Sequence, residues 1–528
     1  MSTKKKAARV ENPKGISPQL LAVLPVNPKP WYLTSHRLIL NFLLIGPLLG
    51  AASVGFDGEA SMMNALQSVS QWRAYFGHPN ATMLGLINSI FYLGKLSGVV
   101  VASYSIHRWG RKNIMMIGFI ILCAGALIQT TSTTLAQLVI SRYIVGIGAA
   151  VIGLPAPIII AELAYPTQRG AATSLYNTSF FIGSIFSSWS TYGTFRIHNE
   201  WSWRIPSALQ AVIPIIEFMI CFFIPESPRW LIANDRADEA KKILTKHHAG
   251  GDESSPLVAF EMAEISKAIH LEREFKAQGS YLDLVRTKAF RWRSFIAVVI
   301  GVAVAWNGNS ILSYYLTLVL NTIGITASKD QTLLNGCLAI FNWLSALLGG
   351  AYLVDKFGRR TLWLTSTAGM LLTFIIYTVL TSIFASSKEK RMGYAALVMI
   401  FVFSFFCNIA WTPLLQAYPV EIFPYQQRAR GVTLLYVSNY LMYFIANFCN
   451  PLALAALAWK YYIFFDVILA IILVTIYLAF PETKGLTLEE ITGIFEGNRL
   501  VITDSIIAAS TENVNIVADI EKSSKSIA

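Results

Sequence analysis

Twelve runs of about twenty mainly apolar residues divide this chain, and each is long enough to carry an α-helix across the hydrocarbon of a bilayer. They fall near 38–60, 82–104, 113–131, 135–160, 171–194 and 205–224, and again near 293–316, 331–354, 361–384, 394–417, 431–454 and 462–480. A water-soluble fold has no place for twelve such segments. Composition agrees: of 528 residues 54% are hydrophobic and only 14% charged, against roughly 25% charged in soluble domains. Disorder, collagen and a small disulfide scaffold are excluded on the same ground. The expected class is an all-α membrane protein with twelve transmembrane helices in two groups of six.

Loop charge sets the sidedness. The segments His107-Arg-Trp-Gly-Arg-Lys112 and Asp355-Lys-Phe-Gly-Arg-Arg360 each bring three Lys or Arg side chains to one face, and basic loops stay in the cytoplasm. An even number of spans then puts both termini and the 225–292 loop on that side. The loop between spans 9 and 10 disagrees, with Lys388, Lys390 and Arg391 on the outside; the other loops and the Lys4–Lys6 cluster outweigh it. A formal charge of +12 suits such a protein. No basic soluble module supports a nucleic-acid reading. Residues 1–37 are polar and basic, with no apolar core before a cleavage site, so the first apolar run is expected to remain as a span. Asn80-Ala-Thr82 is a glycosylation sequon in the first outer loop, whereas Asn177-Thr-Ser179 lies inside a span. The five cysteines all sit in apolar runs and read as packing residues.

The two halves repeat one another. The basic turn at 107 returns at 355, an offset of 248; Glu162 with Arg169 returns as Glu421 with Arg428, an offset of 259; Pro225-Glu226-Ser227 returns as Pro481-Glu482-Thr483, an offset of 256. Three motifs in one order at nearly one spacing mark a duplicated six-span unit, the plan on which secondary transporters build a central site. Domains are expected at 38–224 and 293–480, with a cytoplasmic tail at 1–37, a loop of short amphipathic helices at 225–292 and a tail at 481–528.

These motifs carry a resemblance. Pro225-Glu-Ser-Pro-Arg-Trp-Leu231, Pro481-Glu-Thr-Lys-Gly-Leu486 and Asp355-Lys-Phe-Gly-Arg-Arg360 resemble the signatures of the sugar porter family of the major facilitator superfamily, over about residues 35–495. Trp201-Ser-Trp-Arg-Ile-Pro206, Gly308-Asn309 before Tyr314-Tyr315, Tyr418-Pro-Val-Glu-Ile-Phe-Pro424 and Trp459-Lys-Tyr-Tyr462 are similar to the fungal lactose permease and cellodextrin transporter branch. The resemblance implies alternating access in the plasma membrane, no cofactor or metal, and a disaccharide and protons as cargo, with lipid around the spans and cytosolic regulators on the tails.

Asp57 in the first span is the most informative single residue, because an ionised Asp near the bilayer centre costs about 2.5–3.5 kcal/mol. Arg142, early in span 4, matches the arginine that releases and recaptures such an acid in the family's proton symporters; a permanent ion pair between two spans is the plainer reading. One proton crossing 100 mV supplies ~2.3 kcal/mol and one pH unit adds ~1.4, enough for roughly 500-fold accumulation. A cytoplasmic gate is implied by Arg108, Arg111, Glu162, Arg169, Glu226 and Arg229 in one half, and by Asp355, Arg359, Glu421, Arg428 and Glu482 in the other. Arg108, Arg111 and Lys112 are expected to meet Glu226 and Glu162, as Lys356, Arg359 and Arg360 meet Glu421 and Glu482. The bland reading is positive-inside topology, which leaves the matched acids unexplained. His107 stands where the family has the Asp that Asp355 keeps.

Sugar hydroxyls need amides, hydroxyls and aromatic walls at mid-membrane. Asn177, Asn307, Asn309, Tyr314, Asn342, Gln416 and Asn439 are the candidates, with Asn447 behind them; any single amide serves equally well as a bond between helices. The family's paired glutamines in span 7 are Val304 and Ala305 here, which enlarges the site or weakens it. Trp306, Tyr315, Trp343 and Trp411 line the route or simply pack. Gly146-Ile-Gly148 reads as helix packing in span 4, and no phosphate loop, metal cluster or nucleophile elbow points to an enzyme. Within the class, a monosaccharide porter or an uncoupled facilitator remains open. The rival of another class is a non-transporting sugar sensor, which its short tail of 528 − 480 = 48 residues disfavours.

Overall fold

A computed structural model of the chain describes residues 23–24, 31–57, 61–276, 281–349, 353–484 and 488–496. Glu59, most of the N-terminal tail and the C-terminal tail beyond 496 lie outside the described residues, as do the side chains of Asp57, Asn177 and Asp355 on otherwise helical backbone. The described residues contain helices and connecting turns and no strand.

Spans 1–6 run Ser35–Asp57, Ala81–Trp109, Arg111–Thr130, Leu135–Leu163, Arg169–Thr194 and Trp201–Phe223. Spans 7–12 run Lys288–Tyr314, Ser328–Leu348, Arg359–Ser387, Lys390–Ile422, Tyr425–Leu457 and Tyr461–Ala479. Among the described residues ten helical stretches are long and apolar enough to cross a membrane, one of which, Arg430–Ala479, is interrupted between Leu457 and Tyr461 and so holds two spans. Span 5 completes the twelve. Ten of its 26 residues are Ser or Thr, which depresses its hydropathy. Several of those hydroxyls are satisfied in lipid by bonding carbonyls one turn back, as Ser179 does to Leu175 and Thr191 to Ser187, whereas Ser187 Oγ is buried without a partner among the described residues.

Local signals place the ends. Asn80 of the sequon caps span 2, its Oδ1 accepting the Met83 N–H at 2.9 Å. Thr134 caps span 4 and Thr287 caps span 7 in the same way, so span 7 begins five residues before the expected 293. Spans 10 and 11 have 33 residues each, about 50 Å of helix, and project beyond a ~30 Å hydrocarbon core. The glycine pair of span 4 has one neighbour per glycine: a Cβ on Gly146 would lie 2.2 Å from the Phe91 carbonyl of span 2, and one on Gly148 2.7 Å from the Leu122 nitrogen of span 3. Small residues let three backbones meet there.

Between the halves lie the cytoplasmic helices Pro228–Ala233, Ala237–His248, Pro256–Lys276 and Asp283–Arg286. His248 docks them on the end of span 4, one ring nitrogen 2.8 Å from Glu261 Oε2 and the other 3.1 Å from the Leu163 carbonyl.

Candidate functional site

Span 7 breaks in mid-membrane. Gly308 takes φ +91°, a left-handed conformation that favours glycine, and the helix restarts at Asn309. Asn307 Oδ1 accepts the Asn309 N–H at 3.0 Å. Asn307 is buried, and its Nδ2 has no hydrogen-bond partner among the described residues. Asn309 Oδ1 accepts from Ser313 at 3.2 Å. At the end of the span the Tyr314 hydroxyl bonds that of Tyr92 in span 2. Tyr92 in turn stacks on Tyr443 of span 11, with centroids 4.6 Å apart. The break thus leads to an aromatic contact between the two halves.

Of the other expected amides, Asn342, Asn439 and Gln416 bond neighbouring helices, and the Asn177 side chain lies outside the described residues. Asn342 Oδ1 accepts from Asn408 Nδ2 at 3.0 Å, and Asn439 Nδ2 donates to the Gly301 carbonyl at 3.3 Å. Gln416 faces the Tyr436 hydroxyl. Among the aromatics, Tyr315 is fully buried with its hydroxyl on the Asn447 carbonyl at 2.5 Å. Trp306 lies edge-on against Phe464 of span 12 and Trp411 against Trp363. These three pack.

Arg142 is completely buried; its Nε donates to the Ile87 carbonyl at 3.5 Å, and its guanidinium lies 5.0 Å from the Phe91 ring. Asp57 closes the helical segment of span 1. Three further intramembrane charges escaped the sequence reading. Lys95 of span 2 sits 4.9 Å from Phe91, 5.5 Å from Tyr92 and 5.6 Å from Tyr440. Glu217 of span 6 is fully buried and accepts from Ser53 Oγ at 2.8 Å. Asp466 lies in span 12. The signal was available, since a lone charge inside an apolar run marks a functional or paired group.

Two cytoplasmic constellations match one another. In the first half Arg111 Nε lies 3.1 Å from Glu162 Oε2, and Ser227 Oγ donates to the same carboxylate. In the second, Arg359 reaches Glu421 Oε1 from Nε at 3.1 Å and from a terminal nitrogen at 3.0 Å, and Thr483 Oγ1 donates to Glu421 at 2.5 Å. The remaining acids depart from expectation. Glu226 is held by the backbone N–H groups of Arg111 and Lys112 at 3.0 and 3.1 Å, and Glu482 by those of Arg359 and Arg360 at 2.8 and 3.0 Å. The first N–H groups of a helix have no partner within it and carry partial positive charge, so each carboxylate caps a span. The long side chains go elsewhere: Lys112 to the Phe222 carbonyl at 2.8 Å and Arg360 to the Tyr477 carbonyl at 2.7 Å. Burial pushes the Glu226 carboxyl above its ordinary value, against the pull of the N–H groups of Ser227, Lys112 and Arg111. Arg108 and Arg169 are exposed, whereas Arg229 and Arg428 are half-buried.

The Arg111–Glu162 and Arg359–Glu421 pairs each join two spans of one bundle. Among the described residues, hydrogen bonds between the bundles gather on the opposite, outer side. There Asn64, in the short helix Ser61–Ser68, donates from Nδ2 to Asn335 Oδ1 at 3.0 Å and accepts from the Thr317 N–H at 3.2 Å. Asn335 Nδ2 donates to Ser188 Oγ at 3.0 Å, and Ser328 Oγ to the Ser68 carbonyl at 2.7 Å.

Two six-helix bundles with mirrored latches, sealed together on the outer side around a broken span, define a transporter of the major facilitator fold. The model of the family described as "Sugar (and other) transporter" matches residues 45–495, and the chain belongs to that family. It is a multi-pass integral membrane protein of a transporter family, not an enzyme. Among curated proteins it is 27% identical over 480 residues to the MFS-type transporter criB of Aspergillus cristatus, covering 90% of this chain and 98% of the relative. It is 29% identical over 490 residues to high-affinity glucose transporter 1 of Candida albicans, covering 88% of each. Among solved structures, the inward open xylose transporter XylE from E. coli aligns with a TM-score of 0.71 at 20% identity, over 86% of this chain and 99% of that one. The proton:xylose symporter XylE bound to 6-bromo-6-deoxy-D-glucose gives 0.69 at 21% identity, over the same shares of the two chains.

Proposed function

We propose that the protein is a proton-coupled sugar symporter of the plasma membrane that works by alternating access, with a disaccharide such as lactose or cellobiose as its cargo. The observation that carries this reading is the outer seal: among the described residues the bundles are joined outside through Asn64, Asn335, Thr317 and Ser328, while the Arg111–Glu162 and Arg359–Glu421 pairs each lie within one bundle. That is the arrangement of a carrier open toward the cytoplasm. In this reading Asp57 carries the proton and Arg142 is the cation it releases and recaptures. Asn177, Asn307, Asn309, Tyr314, Asn342, Gln416 and Asn439 face or frame the sugar. The latch acids and arginines, with Arg108, Arg169, Arg229, Asp355 and Arg428, steady the inner ends of the spans as the bundles rock.

Relatives described as high-affinity glucose transporters and a structural neighbour described as a proton:xylose symporter support sugar and proton as cargo. Val304 and Ala305, smaller than the family's glutamines, favour the larger sugar and the lactose permease and cellodextrin branch. Lipid surrounds the spans, and the tails, outside the described residues, offer sites to cytosolic regulators.

The test is uptake of labelled lactose, cellobiose and glucose by cells lacking their own porters, with and without a protonophore, for wild type and Asp57→Asn. Protonophore-sensitive accumulation that Asp57→Asn abolishes is expected. Uptake indifferent to both means a facilitator. No uptake from protein present at the cell surface means a sensor.

A further inference from the structure

A cavity of about 710 Å³ opens at the cytoplasmic side, between the start of span 1 and the helix Ala237–His248. One face of that helix supplies Lys241, Lys242, Thr245 and Lys246, spaced to fall on adjoining turns. His36 and Ile39 of span 1 form the facing wall, and Gly250 and Gly251 close one end. Two acids also border the cavity: Asp238, two turns before Thr245 near the helix start, and Glu253 beyond the glycines. The lining therefore carries Lys241, Lys242, Lys246, His36 and His247 against the two acids. Burial pushes His247 down to about 4, and the nearby Lys246 adds to the effect.

Thr245 supplies a second, independent observation. It is 7% exposed, and its Oγ1 has no hydrogen-bond partner among the described residues. A buried hydroxyl without a partner is costly, and because Oγ1 itself is closed off from solvent, a ligand oxygen satisfies it only once the neighbouring lysine side chains move aside. The cavity also lies at a membrane boundary. Ile39 on its wall is 50% exposed on the flank of span 1, next to the exposed Leu38 and Phe42, and Trp31 and Tyr32 stand exposed just before the span. Aromatic residues in that position mark the headgroup level.

We propose that this cavity is a binding site for a phosphate-bearing group, held by Lys241, Lys242 and Lys246 and by the Thr245 hydroxyl. A phosphate monoester brings about 1.5–2 negative charges and three acceptor oxygens, which suits ammonium groups grouped around one buried donor. The group comes either from a phosphorylated lipid at the inner leaflet or from a soluble phosphate ester; cytoplasmic-side basic pockets take such headgroups. The helix that bears the lysines ends at His248, whose ring bonds Leu163 beside the latch residue Glu162. Occupancy therefore firms the support of the first latch.

The experiment uses the full-length protein in phosphatidylcholine nanodiscs and does not depend on what the protein transports. Binding is compared for discs carrying phosphatidylinositol phosphate, for charge-matched phosphatidylserine discs, and for soluble inositol phosphate added to plain discs. Wild type is expected to prefer the phosphorylated lipid or the soluble ester over phosphatidylserine. Preference for the lipid assigns the headgroup as the source, and equal binding of the soluble ester assigns a free phosphate. The exposed-lysine variant Lys241→Gln with Lys246→Gln should weaken binding by about tenfold or more, and the isosteric Thr245→Val by roughly threefold, because charge-assisted bonds are lost. Bound ligand should slow amide exchange across 237–248 in wild type only. Unchanged binding in both variants, or equal affinity for phosphatidylserine, overturns the proposal. So does loss in the lysine variant without loss in Thr245→Val, which would mean diffuse attraction to a basic surface.

Discussion

The two cytoplasmic latches are built from matched motifs in the two halves and share one geometry, but differ in what surrounds it. Gly110 and Gly358 take φ +89° and +88°, each followed by a span whose first N–H groups close on a glutamate from the far end of the same bundle. Each following arginine pairs with the glutamate at the end of span 4 or span 10. The differences lie around this frame. Arg111 and Glu162 are 10% and 12% exposed, Arg359 and Glu421 20% and 26%. Glu482 also accepts from the N–H groups of Thr483 and Lys484, both at 3.0 Å, whereas Glu226 adds only that of Ser227 at 2.9 Å. The first latch is braced from outside by Trp230, whose Nε1 donates to the His107 carbonyl at 2.9 Å; the second by Lys484, whose Nζ donates to the Lys356 carbonyl at 2.9 Å. The lesson is that duplication preserved a backbone cage around a carboxylate, and each half then found its own brace.

The largest expected effect comes from removing the glycines. Their conformation, with ψ near 169° and 162°, is one that essentially only glycine enters. A Cβ on Gly110 would lie 2.2 Å from Glu226 Oε2, and one on Gly358 2.7 Å from Glu482 Oε2. Gly110→Ala and Gly358→Ala should each cost about 3 kcal/mol or more, with Gly110→Ala the worse, read as thermal stability in detergent and as protein at the membrane. A tolerant Gly110→Ala would break the equivalence of the two turns.

Next come the caps. Glu226→Gln and Glu482→Gln turn an amide donor toward backbone N–H groups, at about 2–3 kcal/mol each. The cost should be greater at Glu482, which holds four such groups against three. Uptake and thermal stability of the pair of variants rank the two cages directly.

Arg111→Lys and Arg359→Lys keep the charge and lose the fork, at roughly 1–2 kcal/mol. Because each pair is internal to its bundle, the double variant should be additive within about 0.5 kcal/mol. A larger coupling would mean that the latches act on one another across the bundle interface.

The smallest effects concern what lies beside the first latch. His107→Asp restores the acid that Asp355 keeps in the other half; His107 is exposed and is joined to Trp230 through its carbonyl, so stability should change by less than about 0.5 kcal/mol. His247 gives a pH dependence that the second half lacks a counterpart for. The folded ring takes its proton only near 4, whereas an unperturbed ring does so near 6.5. The cytoplasmic helices should therefore loosen as pH falls from 6.5 toward 4, with no further loss below it. Amide exchange over 237–248 measures this, and His247→Gln should flatten the curve.

Much of this was legible in the residues because lipid leaves few choices. Twelve apolar runs, a +12 charge concentrated in loops, and three motifs repeated about 250 residues apart settle helices, sidedness and a duplicated plan, since a backbone in hydrocarbon must satisfy itself within each span. The latch residues were visible for the same reason, as charges recurring at matched span ends. What the residues did not reveal was which atoms meet. Glu226 and Glu482 were assigned to side chains and are held by helix N–H groups, because a helix start is a donor site no residue letter records. Lys95 and Glu217 were passed over inside apolar runs, and only packing shows that one lies on three aromatic rings and the other on Ser53.

The sequence by itself determined that this chain is a twelve-span, two-bundle membrane protein with paired cytoplasmic charge motifs. Tertiary structure alone decided which amides pack helices, that the bundles are sealed on the outer side, and that a basic cavity forms between span 1 and a cytoplasmic helix some 200 residues away in the chain. The physical reason is range. Hydropathy and caps act within a helix, whereas the pairing of Asn64 with Asn335, 271 residues apart, exists only once the bundles have docked.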